Sequence, residues 1–194
     1  MRKLQLSYNA PFTLTFSFTC VAVFVLSVFT GGWATQTVFS VGHGFDWANP
    51  ITYPTVLLHV LGHASPEHLV YNLSVILLIG PILEEKYRVK KLLLVTAVTA
   101  IVTALPMLLI TPLFGSARLL GASGVAFAFI VLASYTRARS GVIPMTFLLV
   151  CVLFLGQELY RAFDSSDQVA RFAHILGGLV GAFFAHRWQG RPGA

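Results

Sequence analysis

Charge is scarce in this chain. Asp, Glu, Lys and Arg make up 10% of its 194 residues, against roughly 25% in an average soluble domain. Hydrophobic residues make up 56%, and the mean hydropathy is +0.78. One small globule cannot hide that much apolar surface, so the expected solvent is lipid. Cysteine is nearly absent. Cys20 and Cys151 both lie inside apolar runs and read as buried free thiols, not as a disulfide framework. Lipidation signals and low-complexity segments are missing as well. The net charge is +6, but no basic stripe with interleaved aromatics accompanies it, so nucleic acid is not an expected partner. No cofactor and no metal site are expected.

The length suits a single domain, residues 1–194. A bilayer span needs about 20 apolar residues, and six stretches meet that: roughly 11–33, 66–83, 91–110, 119–136, 141–160 and 169–187. The first run is longer than a secretory signal's apolar core, about 7–15 residues, so it reads as a retained helix. Lipid offers no partner to a free backbone group, so spans this apolar should be helical. The expected class is an all-α, polytopic membrane bundle of six helices. Ser65, Pro66 and Glu67 mark a helix start: an N-cap residue, a proline at the first position and an acid at the positive end of the dipole. Lys and Arg set the orientation. With both termini cytoplasmic, the inside holds Arg2, Lys3, Lys86, Arg88, Lys90, Lys91, Arg137, Arg139, Arg187 and Arg191, and the outside only Arg118, Arg161 and Arg171. The stretch 34–65 has no Lys or Arg, which suits an outer loop. It is long enough to pack on itself or lie in the interface.

Polar residues inside spans are costly and are functional candidates by default. Four stand out: His68 and Asn72 in the second span, Ser123 in the fourth and His174 in the sixth. In the orientation above, these three spans all run from outside to inside. Each residue lies within about seven positions of its helix start, roughly 10 Å, so all four share one depth near the outer face. Ser123 sits in Gly121-Ala122-Ser123-Gly124, where small neighbours admit another helix or a substrate backbone. Taken alone, it is more often a packing serine. His174, Gly178 and Gly181 share a helix face by their offsets of 4 and 7, so a partner helix can approach the imidazole. His68 and Asn72 are four apart and can donate toward one point; the plainer reading is a polar clamp between helices. Together the four supply a nucleophile, a base and oxyanion donors, the parts of acyl transfer. No Asp or Glu is placed to orient the histidine: Glu84 and Glu85 lie at the opposite face, and Asp164 and Asp167 in a loop. The expected unit is therefore a Ser-His dyad.

In these residues the chain resembles the rhomboid family. Three motifs carry the likeness: His63-x4-His68-x3-Asn72 with Glu84 twelve residues later, Gly121-x-Ser123-Gly124, and Ala173-His174-x2-Gly177-x3-Gly181. Their order and the six-helix layout also look like the bacterial members, over about residues 12–187. The resemblance implies an intramembrane serine protease that cuts within or beside the transmembrane segments of other proteins. It implies Ser123 as nucleophile and His174 as base, with the Ser123 N–H, His68 and Asn72 at the oxyanion. Gly121 would keep the site open. His59 and His63 would hold the first outer loop, and Glu84 would tie helices together near the cytoplasmic side. The fifth helix and the 161–168 loop would admit substrate and water. The implied setting is a bacterial cytoplasmic membrane, with lipid and transmembrane proteins as partners. Two positions depart from the family: Pro54-Thr55 stands where many members have Trp-Arg, and Phe127 where bacterial members often have a tyrosine stacked on the histidine.

Three rival readings use the same residues. An inactive relative would bind membrane clients without cutting them. A haem protein would use His63, His68 and His174 as axial ligands. A small transporter would place its polar cluster at the midplane, which this one does not.

Overall fold

The chain is mostly helical. The structure, a computed structural model, describes residues 6–114, 117–135, 142–155 and 168–188. Several positions used above therefore lie outside the described residues: Arg2, Lys3, Arg137, Arg139, Arg161, Asp164, Asp167, Arg191, and the loop 161–168 up to its last residue.

Helix α1 spans Pro11–Phe29. Proline at its first position has no N–H to satisfy, but the next two amides do, and Ala10 offers no side-chain cap. Glu84 serves instead. The Phe12 N–H donates to Oε1 at 2.8 Å, and the Thr13 N–H and Oγ1 donate to Oε2 at 3.0 and 2.9 Å. A buried carboxylate is thereby placed against the positive end of a helix dipole. Gly80 lets this contact close, because a Cβ there would sit 2.7 Å from Thr13 Oγ1 and Cγ2. The expected span 11–33 ends early. Gly31 and Gly32 take φ of 59° and 88°, and the chain turns into a short α2, Trp33–Thr37.

The stretch 38–65 packs on itself. It contains β1 (Val41–Gly42), a 3-10 turn at Pro50–Thr52, α3 (Thr55–Leu58) and a second 3-10 turn at His59–Leu61. Strand β1 pairs antiparallel with β2, Arg118–Leu119, setting Val41 opposite Leu119. Helix α4, Pro66–Phe114, covers the expected spans 66–83 and 91–110 and the residues between them. It departs from helical geometry at Arg88 alone, where φ is 65° and ψ 163°.

Helix α5 runs Ser123–Ser134. The expected 119–136 is thus shortened at its start, because Arg118 and Leu119 pair with β1 and Gly121 turns the chain at φ +116°. Helix α6 is Met145–Val150, followed by a π-helical turn over Cys151–Leu155; residues 156–160 lie outside the described residues. The last helix, α7, is Gln168–Arg187. Two described stretches, Pro11–Phe29 and Pro66–Leu109, are long and apolar enough to cross a membrane. The core gathers Phe12, Phe16, Ile76, Leu83, Leu92, Val125, Phe129, Leu132, Val180 and Phe184 from α1, α4, α5 and α7. Cys20 and Cys151 are both free thiols.

Candidate active site

Helices α5 and α7 meet backbone to backbone, which follows from glycine spacing. A Cβ on Gly177 would lie 2.1 Å from the Gly124 carbonyl oxygen, and one on Gly181 would lie 2.4 Å from that of Ala128. Only glycine fits at either place. Gly177 and Gly181 thus both lie in this contact, and Gly178 beside them is buried. The close approach sets His174, nearly one turn before Gly177, against the first turns of α5. Its ring stacks on Phe127, with centroids 4.5 Å apart and planes 7° from parallel. Phe127 is one turn after Ser123 and so on the same face of α5. The face that carries the serine thus also carries the ring on which the imidazole stacks.

Ser123 is half-buried and is the first residue of α5. The first backbone bond across this helix start runs from the Ala126 N–H to the Ala122 carbonyl, at 2.8 Å. The Ser123 N–H precedes it and has no intrahelical acceptor. It points out of the positive end of the helix, where negative charge is favoured.

His68 and Asn72 flank this end from α4. A Cβ on Gly121 would lie 2.6 Å from His68 Cε1, 2.7 Å from His68 Nε2 and 3.6 Å from Asn72 Nδ2. Both side chains therefore face Gly121, two residues before the serine. The Gly121 N–H donates to the His59 carbonyl at 2.9 Å, anchoring the turn to the outer loop. Asn72 is fully buried, and neither Nδ2 nor Oδ1 has a hydrogen-bond partner among the described residues. A buried amide without partners is costly and calls for an explanation.

His59 and His63 form the layer behind. His59 is buried, with Nδ1 3.1 Å from the Val56 carbonyl and Nε2 3.3 Å from Thr103 Oγ1. His63 is buried, its Nδ1 donates to the Leu61 carbonyl at 3.1 Å, and its ring meets His68 edge-on at 5.1 Å. Burial pushes both imidazoles down to about 4, and for His63 the neighbouring His68 adds to the effect. Both are neutral at pH 7. Among the described residues, no group of three or more His, Cys, Asp or Glu is placed to hold a metal ion.

The structure brings Gly121, Ser123, Gly124, Phe127 and His174 together at the α5–α7 contact, with His68, Asn72 and His63 beside them. Glu84 is not part of this group. It lies twelve residues along α4 from Asn72, about 18 Å, and binds the start of α1. Sequence reasoning left two contributors without these roles: Gly177 as the point of closest approach, and the His59 carbonyl that holds Gly121. The third motif contains Gly177, and His59 was already expected to hold the outer loop, but the contacts themselves are long-range.

The profile of the Rhomboid domain family matches residues 51–188, which takes in all of these positions. The chain belongs to the rhomboid family. It is therefore a helical bundle of a membrane-protein family. Among similar proteins are the rhomboid protease GlpG of Yersinia pestis (strain Pestoides F) and the rhomboid protease GlpG of Yersinia pseudotuberculosis serotype O:3 (strain YPIII). Each is 26% identical over 196 aligned residues, covering 97% of this chain and 66% of the relative. The chain thus spans just under two thirds of the length of these relatives.

Proposed function

We propose that this chain is an intramembrane serine endopeptidase working through a Ser123–His174 dyad. In this reading residues 1–194 form one domain of six transmembrane helices with both termini cytoplasmic, in a bacterial inner membrane. The substrates are transmembrane proteins, cut near the outer face. The observation that carries it is the buried Asn72 amide, without a hydrogen-bond partner among the described residues and facing Gly121 together with His68, beside the first N–H groups of α5, which have no intrahelical acceptor. A packing asparagine would be bonded; an amide kept for a transient oxyanion need not be.

The reaction follows from the parts. Ser123 Oγ attacks the carbonyl carbon of a peptide bond in or beside a substrate's transmembrane segment, and its proton passes to His174. The oxyanion receives hydrogen bonds from the Ser123 N–H, Asn72 and His68. Collapse breaks the C–N bond, and the His174 proton leaves with the amine. Water, deprotonated by His174, then attacks the ester, and its collapse returns the proton to Ser123. Phe127 keeps the imidazole plane in register, and the glycine contact keeps the two helices close.

Serine-reactive fluorophosphonate labelling, run beside cleavage of a model transmembrane substrate, tests this. Ser123→Ala should lose both, and His174→Ala should lose turnover. The double variant should be no slower than either single one, because the pair acts as a unit. A folded wild-type protein that takes no label and cuts nothing would instead support a client-binding relative.

A further inference from the structure

A second site lies at the far end of the first half of α4, fifteen residues and about 22 Å from Asn72. A cavity of about 770 Å³ opens there between the start of α1 and the Arg88 bend, with Pro11, Ile82 and Val89 in its wall and Arg88, Lys90 and Lys91 around it. Two carboxylates also line it. Glu84 faces the amides of α1, which are neutral and leave its charge in place, so among the described lining residues two carboxylates oppose three cations. The cavity shares Pro11 and Val89 with a groove of about 400 Å³, lined by Phe12, Phe16 and Leu93, where Thr15 and Thr19 are the polar members. Along α1 this groove runs from Pro11 to Thr19, about 12 Å. Arg88 holds a backbone conformation that strongly favours glycine, and the bend leaves Arg88, Val89 and Lys90 exposed. Beside it, Tyr87 and Trp188 pack at 5.3 Å, with Lys91 Nζ 5.0 Å from the Trp188 ring. Aromatic and basic groups at one level are what a headgroup layer selects.

We propose that this end of the bundle binds one anionic phospholipid, its phosphate held by Arg88, Lys90 and Lys91 and one acyl chain laid in the groove between α1 and α4. Charge complementarity picks the headgroup: a zwitterionic lipid leaves three clustered cations against two carboxylates, one of them turned toward α1. The adjoining apolar groove picks a lipid over free phosphate. This inference is independent of the protease chemistry.

Lipid binding to the full chain in neutral detergent, measured by native mass spectrometry and thermal midpoint, tests it. The probes are dioleoylphosphatidylglycerol, dioleoylphosphatidylcholine and inorganic phosphate. With an excess of one cation, the anionic lipid should bind roughly 5-fold more tightly than the zwitterionic one. The combined Arg88→Gln, Lys90→Gln, Lys91→Gln variant should bind the two lipids alike, and Leu93→Trp, filling the groove, should weaken both. Circular dichroism checks folding; if the triple variant is unfolded, Lys90→Gln and Lys91→Gln singly should each reduce the preference. Equal binding of the two lipids by the wild type, or a preference that survives the charge removal, overturns the proposal. So does inorganic phosphate binding as tightly as the anionic lipid, which would reduce the site to a phosphate pocket.

Discussion

Asn72 separates catalysis from packing more cleanly than any other residue here. Its side chain is fully buried and neither amide atom has a partner, so Asn72→Ala breaks no hydrogen bond among the described residues. Burying an unpaired polar group costs about 1–3 kcal/mol, which the substitution relieves. The small cavity it leaves works the other way. The two effects oppose, so net stability should move by less than about 1 kcal/mol. Asn72→Leu, which fills the same space without polar atoms, should be neutral or stabilising. Catalysis should behave differently. One oxyanion donor contributes about 2.7–4 kcal/mol to the transition state, so kcat should fall roughly 100- to 1,000-fold in both variants. Labelling by a strongly electrophilic serine probe should persist, because Ser123 and His174 are untouched. Turnover and melting temperature measured on the same preparations decide the matter. Unchanged turnover with a clearly lowered melting temperature would refute the reasoning, returning Asn72 to a structural role.

Three other outcomes are expected. Glu84→Ala removes the acceptor of three hydrogen bonds at the start of α1. It should cost on the order of 3 kcal/mol of stability while leaving the residual folded fraction reactive to the serine probe; an unchanged melting temperature would dismiss that role. Stability should also depend on pH through His59 and His63. Their folded values near 4 lie below the unfolded value of about 6.5, so the unfolded chain binds more protons between the two. The stabilisation is fully present above about pH 6.5 and is lost as pH falls toward 4, on the order of 3 kcal/mol per imidazole at most; a melting temperature flat across this window would contradict the burial argument. For orientation, a cysteine introduced at Asn49 should react with an impermeant thiol reagent in intact cells and one at Lys90 should not, and the reverse pattern would invert the proposed topology.

Much of the candidate site was legible before any fold was known, because lipid makes polar residues conspicuous. His68, Asn72, Ser123 and His174 stand out in runs that should contain nothing polar, and their spacing carries the rhomboid likeness. The helical stretches α1, α4, α5 and α7 were legible for the same reason, although not their ends; of the expected 141–160, Met145–Val150 and the π-helical turn after it are described. The break after Phe29 needs two glycines at positive φ. The late start of α5 needs Leu119 to pair with Val41, nearly eighty residues away, and no local pattern encodes such a partner. The bend at Arg88 is a backbone conformation that residue type would argue against. The roles within the site were likewise tertiary. That Gly177 and Gly181 meet α5 backbone to backbone depends on the rotation of one helix against another, and so does the stacking of Phe127 on His174. Glu84 was expected to tie helices together, but that it caps α1 through Phe12 and Thr13 is a contact across seventy residues. The sequence by itself determined where polar chemistry could sit along each helix, because burial in lipid penalises every residue one at a time. Only the tertiary structure decided which of those groups would face one another and which, like the amide of Asn72, would be left without a partner among the described residues, because pairing depends on two helices at once.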